Sequence, residues 1–114
     1  MKYYRIKKNT EFQKIFAKAK RGFSSSLTIL FYPSERFRMG VCVGKKHGGS
    51  VTRNRVKRLL REIFRLHADR LEKGYAYVLV PKAEKNEEDY SYKKFEKDFL
   101  YVVKKQKLLS EENL

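Results

Sequence analysis

Between Thr52 and His67 the chain carries two faces that cannot share one environment. Val56, Leu59, Leu60, Ile63, Phe64 and His67 recur at helical spacing along one side. On the opposite side Asn54, Arg58, Arg61 and Arg65 point within about 60° of one another, with Lys57 beside them. A helix divided in this way must lay its apolar side on another element, so the chain is expected to fold in layers with this helix outermost. Thr52 reads as its N-cap, Val51 and Val56 as a hydrophobic staple at its entry, and Gly74 as its stop.

The outer side is chemically one-sided. Helices that merely face water mix charges so that residues four apart attract, whereas Arg53, Arg55, Lys57, Arg58 and Arg61 repel one another. A bound polyanion relieves that repulsion. Arginine suits the task because its planar fork holds phosphate in two hydrogen bonds and stacks on exposed bases, and Asn54 adds a donor and an acceptor. Upstream, Lys45, Lys46, His47 and the pair Gly48 and Gly49 place two ammonium groups and flexible backbone before a helix N-terminus, without the spacing of a P-loop.

Composition points the same way. Twenty-eight Lys and Arg against 13 Asp and Glu give a net charge of +15, a balance that favours nucleic acid as the partner. Residues 1–81 hold 20 basic and five acidic side chains and residues 82–114 hold eight of each, so the excess lies in the first two-thirds. No apolar run approaches the roughly 20 residues of a membrane span. The basic start, Met1 to Lys8, runs into an amphipathic segment unlike a signal peptide. Cys42 is the only cysteine, which excludes an internal disulfide or a cysteine-based metal site. The cytoplasm is the expected compartment.

Metal-assisted phosphodiester cleavage needs clustered carboxylates, and the basic region offers only Glu11, Glu35, Glu62, Asp69 and Glu72. The last three are expected to pair with Arg58, Arg65 or Lys73. His67 falls on the apolar stripe, 20 residues from His47. No catalytic residue and no metal site is expected on the protein.

The remaining pattern supplies strands and two further helices. Thr10 with Gln13 fits a capping box, and Phe12, Ile15, Phe16 and Ala19 follow on one helical side, ending near Arg21 and Gly22. Phe23 to Ser26 reads as a loop, and Leu27 to Tyr32 as a strand stopped by Pro33. From Arg36 to Val43, Met39, Val41 and Val43 alternate with Gly40, Cys42 and Gly44, giving a strand with one bare face that admits either a closely packed helix or an extended ligand. Tyr75 to Val80 is a strand closed by Pro81, and residues 82–89 form a polar connection. Tyr92, Phe95, Phe99, Val102 and Val103 mark a last helix with Asp89 near its positive end. Together these imply one α+β domain over residues 1–114, a sandwich of helices on a small sheet with flexible ends at about 1–8 and 109–114.

The run from Val43 to Glu62, with Gly44-Lys45-Lys46, Arg53-Asn54-Arg55, Lys57-Arg58 and Arg61-Glu62, closely resembles the signature of the bacterial ribonuclease P protein family. Glu11-Phe12-Gln13-Lys14-Ile15-Phe16 resembles the first helix of that family, whereas residues 82–114 contribute little to the likeness. The resemblance implies a two-layer order α-β-β-β-α-β-α on a four-stranded, mostly antiparallel sheet with one parallel pair, the ribosomal S5 domain 2-like fold with its left-handed crossover. It implies a protein, monomeric when free, that binds the catalytic RNA subunit of ribonuclease P and the 5′ leader of precursor tRNA, with Mg²⁺ held mainly by the RNA. By the same resemblance Lys45, Lys46, Arg53, Asn54, Arg55, Lys57, Arg58, Arg61 and Arg65 face RNA, and Phe12 and Phe16 line a leader cleft.

The residues themselves leave some choices open. Phenylalanines at i and i+4 beside Ile15 and Ala19 are more often core, and the resemblance alone favours a stacking platform for single-stranded RNA. Phe31 and Tyr32 project to opposite sides of their strand, so one of them is available to the cleft. The charge and fold also suit a ribosomal or other structural RNA-binding protein. A major-groove DNA reader is a weaker fit, because no helix-turn-helix pair precedes the basic helix. A stand-alone nuclease would reveal itself by cutting without RNA.

Overall fold

In the computed structural model, which describes residues 3–110, the chain runs β1 (Tyr4–Arg5), α1 (Asn9–Lys18), β2 (Lys20–Phe23), β3 (Leu27–Pro33), β4 (Arg38–Val41), α2 (Ser50–His67), β5 (Tyr75–Pro81) and α3 (Tyr92–Lys105). The strands form one sheet of order β1-β4-β5-β3-β2. β4 pairs in parallel with β1 and β5, while β3 pairs antiparallel with β5 and β2. The α+β class holds, with five strands where four are expected. Among the described residues no helix is long and apolar enough to cross a membrane.

The two strands that the residue pattern did not mark, β1 and β2, sit where charge obscures it. β1 lies in the basic segment expected to be flexible, yet the Tyr3 ring packs edge-on against Phe37 and Phe64 at 5.8 and 5.0 Å, and Ile6 is buried on the other side of the sheet. Those two anchors outweigh the mobility expected of a chain end. β2 takes up residues expected to end α1 and begin a loop. α1 stops at Lys18, and Lys20 to Phe23 pair with Phe31 to Thr28.

Strand alternation shares the apolar side chains between two faces. Leu27, Ile29, Phe31, Met39, Tyr77 and Leu79 meet Val56, Leu60, Ile63 and Phe64 of α2 and Phe95, Phe99, Val102 and Val103 of α3. Leu30, Ala76 and Val78 on the other face, with Ile6, receive Ile15 of α1. The sheet is thus sealed on one side by two helices and covered on the other by one.

The helix ends depart from expectation in instructive ways. α1 starts after Lys8 without a side-chain cap, so the Thr10–Gln13 box does not form. α2 starts at Ser50, which draws Thr52 inside the helix and buries it, and leaves Val51 82% exposed with no staple. It ends at His67 and not at Gly74; one tight turn follows over Ala68–Arg70, where the Lys73 ammonium donates to the carbonyls of Ala68, Asp69 and Leu71. α3 is capped by Ser91, whose hydroxyl accepts the Lys94 amide. Near the C-terminus Leu109 bridges to Leu71 and the Ser110 amide donates to the Arg70 carbonyl, while the rest of the end expected to be flexible, 111–114, lies outside the described residues.

Candidate nucleic-acid interface

A buried histidine sets the entry to α2. The Gly44 amide donates to His47 Nδ1 at 2.9 Å, and His47 Nε2 donates to the Pro81 carbonyl at 2.7 Å, which fixes the ring in place. His47 therefore ties one turn, Lys45–His47, to the end of β5 and leaves Lys45 and Lys46 exposed. Gly48 returns the chain to α2 at φ 114°, in the left-handed region, where a side chain would also crowd Thr52.

From that entry the helix presents its cations along the β1–β4 edge of the sheet. A groove of about 530 Å³ is lined by Tyr3, Arg5, Met39, Asn54, Lys57, Arg58, Arg61, Glu62 and Arg65. A neighbouring hollow of about 260 Å³ shares Arg5, Met39, Lys57 and Arg61 and continues to Lys7, Phe12 and Gly40. Together they connect the outer side of α2 to the N-terminal half of α1.

The expected ridge is only partly available to a ligand. Arg65 forks onto Glu62, with Nη2 2.6 Å and Nε 3.0 Å from the two carboxylate oxygens. That hydrogen bond holds the Glu62 carboxyl below its ordinary value and raises the Arg65 guanidinium. Arg55 reaches the other way and donates to the Tyr90 carbonyl at 2.7 Å, tethering α2 to the start of α3. Arg53 is half-buried, and its Nε has no partner among the described residues. Lys57, Arg58 and Arg61 have no carboxylate partner there either. Burial, and then the neighbouring Arg5, lower the Arg61 guanidinium from its ordinary value. The free cations thus gather toward the groove.

On the α1 side of the sheet, Phe12, Phe16 and Tyr32 come together, half-buried, with Ala19, Cys42 and Val80. The Phe12 ring lies against Gly40, where a Cβ would come within 2.7 Å of it. At Gly40 the bare strand face is therefore occupied by a closely packed helix, whereas a Cβ at Gly44 would meet nothing within 4 Å. Phe31 is not in this cleft. It is 5% exposed in the opposite core, edge-on to Tyr75, because it shares strand parity with Leu27 and Ile29. Arg38 of β4 and Glu11 of α1 form an ion pair that fastens the helix at this face. Burial raises the Cys42 thiol against the pull of Lys46 and Lys57.

His67 is not an apolar core residue alone. It hydrogen-bonds Glu96 at 2.9 Å and stacks on Phe99, joining α2 to α3. Arg5 and Lys7 are groove residues that the sequence pattern did not mark. The signal for them is alternation, Tyr3 and Arg5 against Tyr4 and Ile6, in a stretch whose basic composition suggests only a tail. Among the described residues no three His, Cys, Asp or Glu side chains gather as a metal site.

The ribonuclease P family profile matches residues 1–111. The ribonuclease P protein component of Finegoldia magna is 38% identical over 105 residues, covering 91% of each chain. That of Clostridium kluyveri is 43% identical over 95 residues, covering 79% of this chain and 84% of its own. Among solved structures, the ribonuclease P protein of Staphylococcus aureus superposes with a TM-score of 0.80 at 28% identity, covering 96% of this chain and all of that one. The protein from Thermotoga maritima gives 0.77 at 27% identity, covering 89% and 96%.

Proposed function

The chain belongs to the ribonuclease P protein family, and from that membership we propose that it binds the RNA subunit of ribonuclease P and the 5′ leader of precursor tRNA, promoting removal of the leader. The observation that carries this reading is the set of cations without carboxylate partners among the described residues, Lys57, Arg58 and Arg61, held over a groove that runs on to the Phe12 end of α1. A single strand needs a basic track for its phosphates and aromatic faces for its bases, and the two meet here. Lys45, Lys46 and Asn54 extend the track; Phe16 and Tyr32 extend the platform.

In this reading the RNA carries the chemistry and holds the Mg²⁺, which would supply an activated water nucleophile. The protein neutralises phosphates and orients the leader. Among the described residues the one carboxylate on the groove wall, Glu62, is engaged by Arg65. The free protein is monomeric and works in the cytoplasm, where its RNA partner and substrate are made.

The test is reconstitution with a bacterial ribonuclease P RNA at low Mg²⁺, using precursor tRNAs with and without a leader. The expected result is faster cleavage on adding protein, with tighter binding only of the leader-bearing substrate. Protein that binds ribosomal RNA and leaves cleavage unchanged would overturn the assignment in favour of a ribosomal role.

A further inference from the structure

Residues 82–114 hold equal numbers of acids and bases, so by composition the last third of the chain is neutral. In space its charges separate. Phe95, Phe99, Val102 and Val103 of α3 enter the core. At 100° per residue Lys93, Lys97, Tyr101, Lys104 and Lys105 stand on the opposite side, within about 80° of one another, and all five are exposed. Both carboxylates of the helix are engaged elsewhere, Glu96 with His67 of α2 and Asp98 with Ser25 and Ser26 in the turn between β2 and β3. Glu84, from the preceding connection, pairs with Lys94 at the flank. Among the described residues Lys93, Lys97 and Lys104 have no carboxylate partner, and the Lys105 ammonium lies over the Tyr101 ring. Lys93 and Lys97, one turn apart, repel each other. The bonds of Asp98 also hold α3 toward the β2 edge of the sheet, opposite the β1–β4 edge where the groove lies. We propose that the outer side of α3 is a second RNA-binding surface, which takes the phosphate backbone of a base-paired segment while the groove holds a single strand. Lysines fit that ligand because each acts as a mobile point charge, without the planar fork of arginine. From Lys93 to Lys105 they span about 18 Å along the helix axis. A convex helix side with one exposed aromatic ring suits a duplex met through its backbone, whereas unstacked bases need a cleft with several rings. A lipid surface is a poorer match, because a helix lying on a membrane gives its apolar side to lipid, and that side of α3 is buried in the core.

The probe is a blunt RNA hairpin without a leader, so the outcome does not depend on the leader-binding reading. Replacing Lys93, Lys97 and Lys104 together with Gln removes three exposed charges and no packed side chain. This variant should lower the salt slope of hairpin binding by about two to three. Its slope with a short single-stranded RNA should stay at the wild-type value. A control with the same loss of charge, Lys14→Gln, Lys18→Gln and Lys85→Gln, should lower the hairpin slope by less than about one. An unchanged hairpin slope in the α3 variant, or equal reductions in the two triple variants, overturns the surface. Loss of binding to phosphatidylserine vesicles with hairpin binding intact also overturns it, in favour of a membrane contact. If hairpin binding depends on the α3 lysines while the protein does not enhance ribonuclease P cleavage, the second surface stands and the proposed leader role falls.

Discussion

Arg61 and Arg65 stand four residues apart on α2, yet they offer different charges to a ligand. Arg65 is held by both oxygens of Glu62, whereas Arg61 is half-buried against Arg5 with its guanidinium lowered from the ordinary value. A partner that places phosphate in the groove gains from Arg61 directly, but must compete with Glu62 for Arg65. Replacing Arg61 with Ala should therefore reduce the salt slope of binding to the RNA subunit by roughly 0.7 to 0.9. Glu62→Gln should act oppositely, releasing Arg65 and removing an anion from the groove wall, and so steepen the slope by about one counterion and tighten binding. Filter binding across a salt series reads both. A pair of variants with identical slopes would place the RNA elsewhere on the molecule.

At the level of elements, the basic helix depends on what precedes it. The apolar stripe predicts α2 and its underside correctly, because Val56, Leu60, Ile63 and Phe64 all reach the core. Its first turn is set instead by His47, whose bonds to Gly44 and Pro81 join residues far apart in sequence. Removing that side chain leaves a part-buried amide and a buried carbonyl unpaired, so His47→Ala should cost about 2 to 4 kcal/mol in urea unfolding and loosen Lys45 and Lys46. No local pattern announces such a contact, just as none announces that β1 docks or that β2 follows α1 directly. Periodicity reports which side of an element is apolar; it is silent where pairing with a distant strand decides the outcome. The same holds for Asp98 of α3, which binds the turn between β2 and β3 through the Ser25 hydroxyl at 2.9 Å and the Ser26 amide and hydroxyl at 3.0 and 2.5 Å. Burial opposes its charge, but the hydrogen bonds of Ser26 and Ser25, with Lys94 nearby, leave its carboxyl below the ordinary value. Its contribution is thus complete above the unfolded aspartate value, about pH 4, and is lost as pH falls through the lower folded value. Asp98→Ala should cost about 1 to 3 kcal/mol at pH 7, and its urea midpoint should fall less than that of wild type between pH 4 and 2.

The molecule as a whole closes the two faces of its sheet unequally. One face is closed by α2 and α3 around a continuous core, which sets the arginines outward. The other is closed by α1 alone, and there Phe12, Phe16 and Tyr32 remain half-buried beside the groove. That Phe12 and Phe16 share one side of α1, and that Phe31 and Tyr32 face opposite sides of the sheet, was legible from the stripe and the alternation. Which of Phe31 and Tyr32 belongs to the cleft was not, because strand parity has no sign until one face is known to meet α2 and α3. This division separates folding from binding at Phe16. A fully buried phenylalanine truncated to alanine costs about 3 to 5 kcal/mol, and a half-buried one less, so Phe16→Ala should leave the fold intact. If Phe16 stacks on a leader base, the same variant should weaken holoenzyme binding of leader-bearing precursor by roughly 1 to 3 kcal/mol. Mature tRNA, which offers no base to that cleft, should bind unchanged. Paired dissociation constants for the two substrates, with circular dichroism of the variant as the folding control, separate the roles: equal losses for both substrates would assign Phe16 to packing alone.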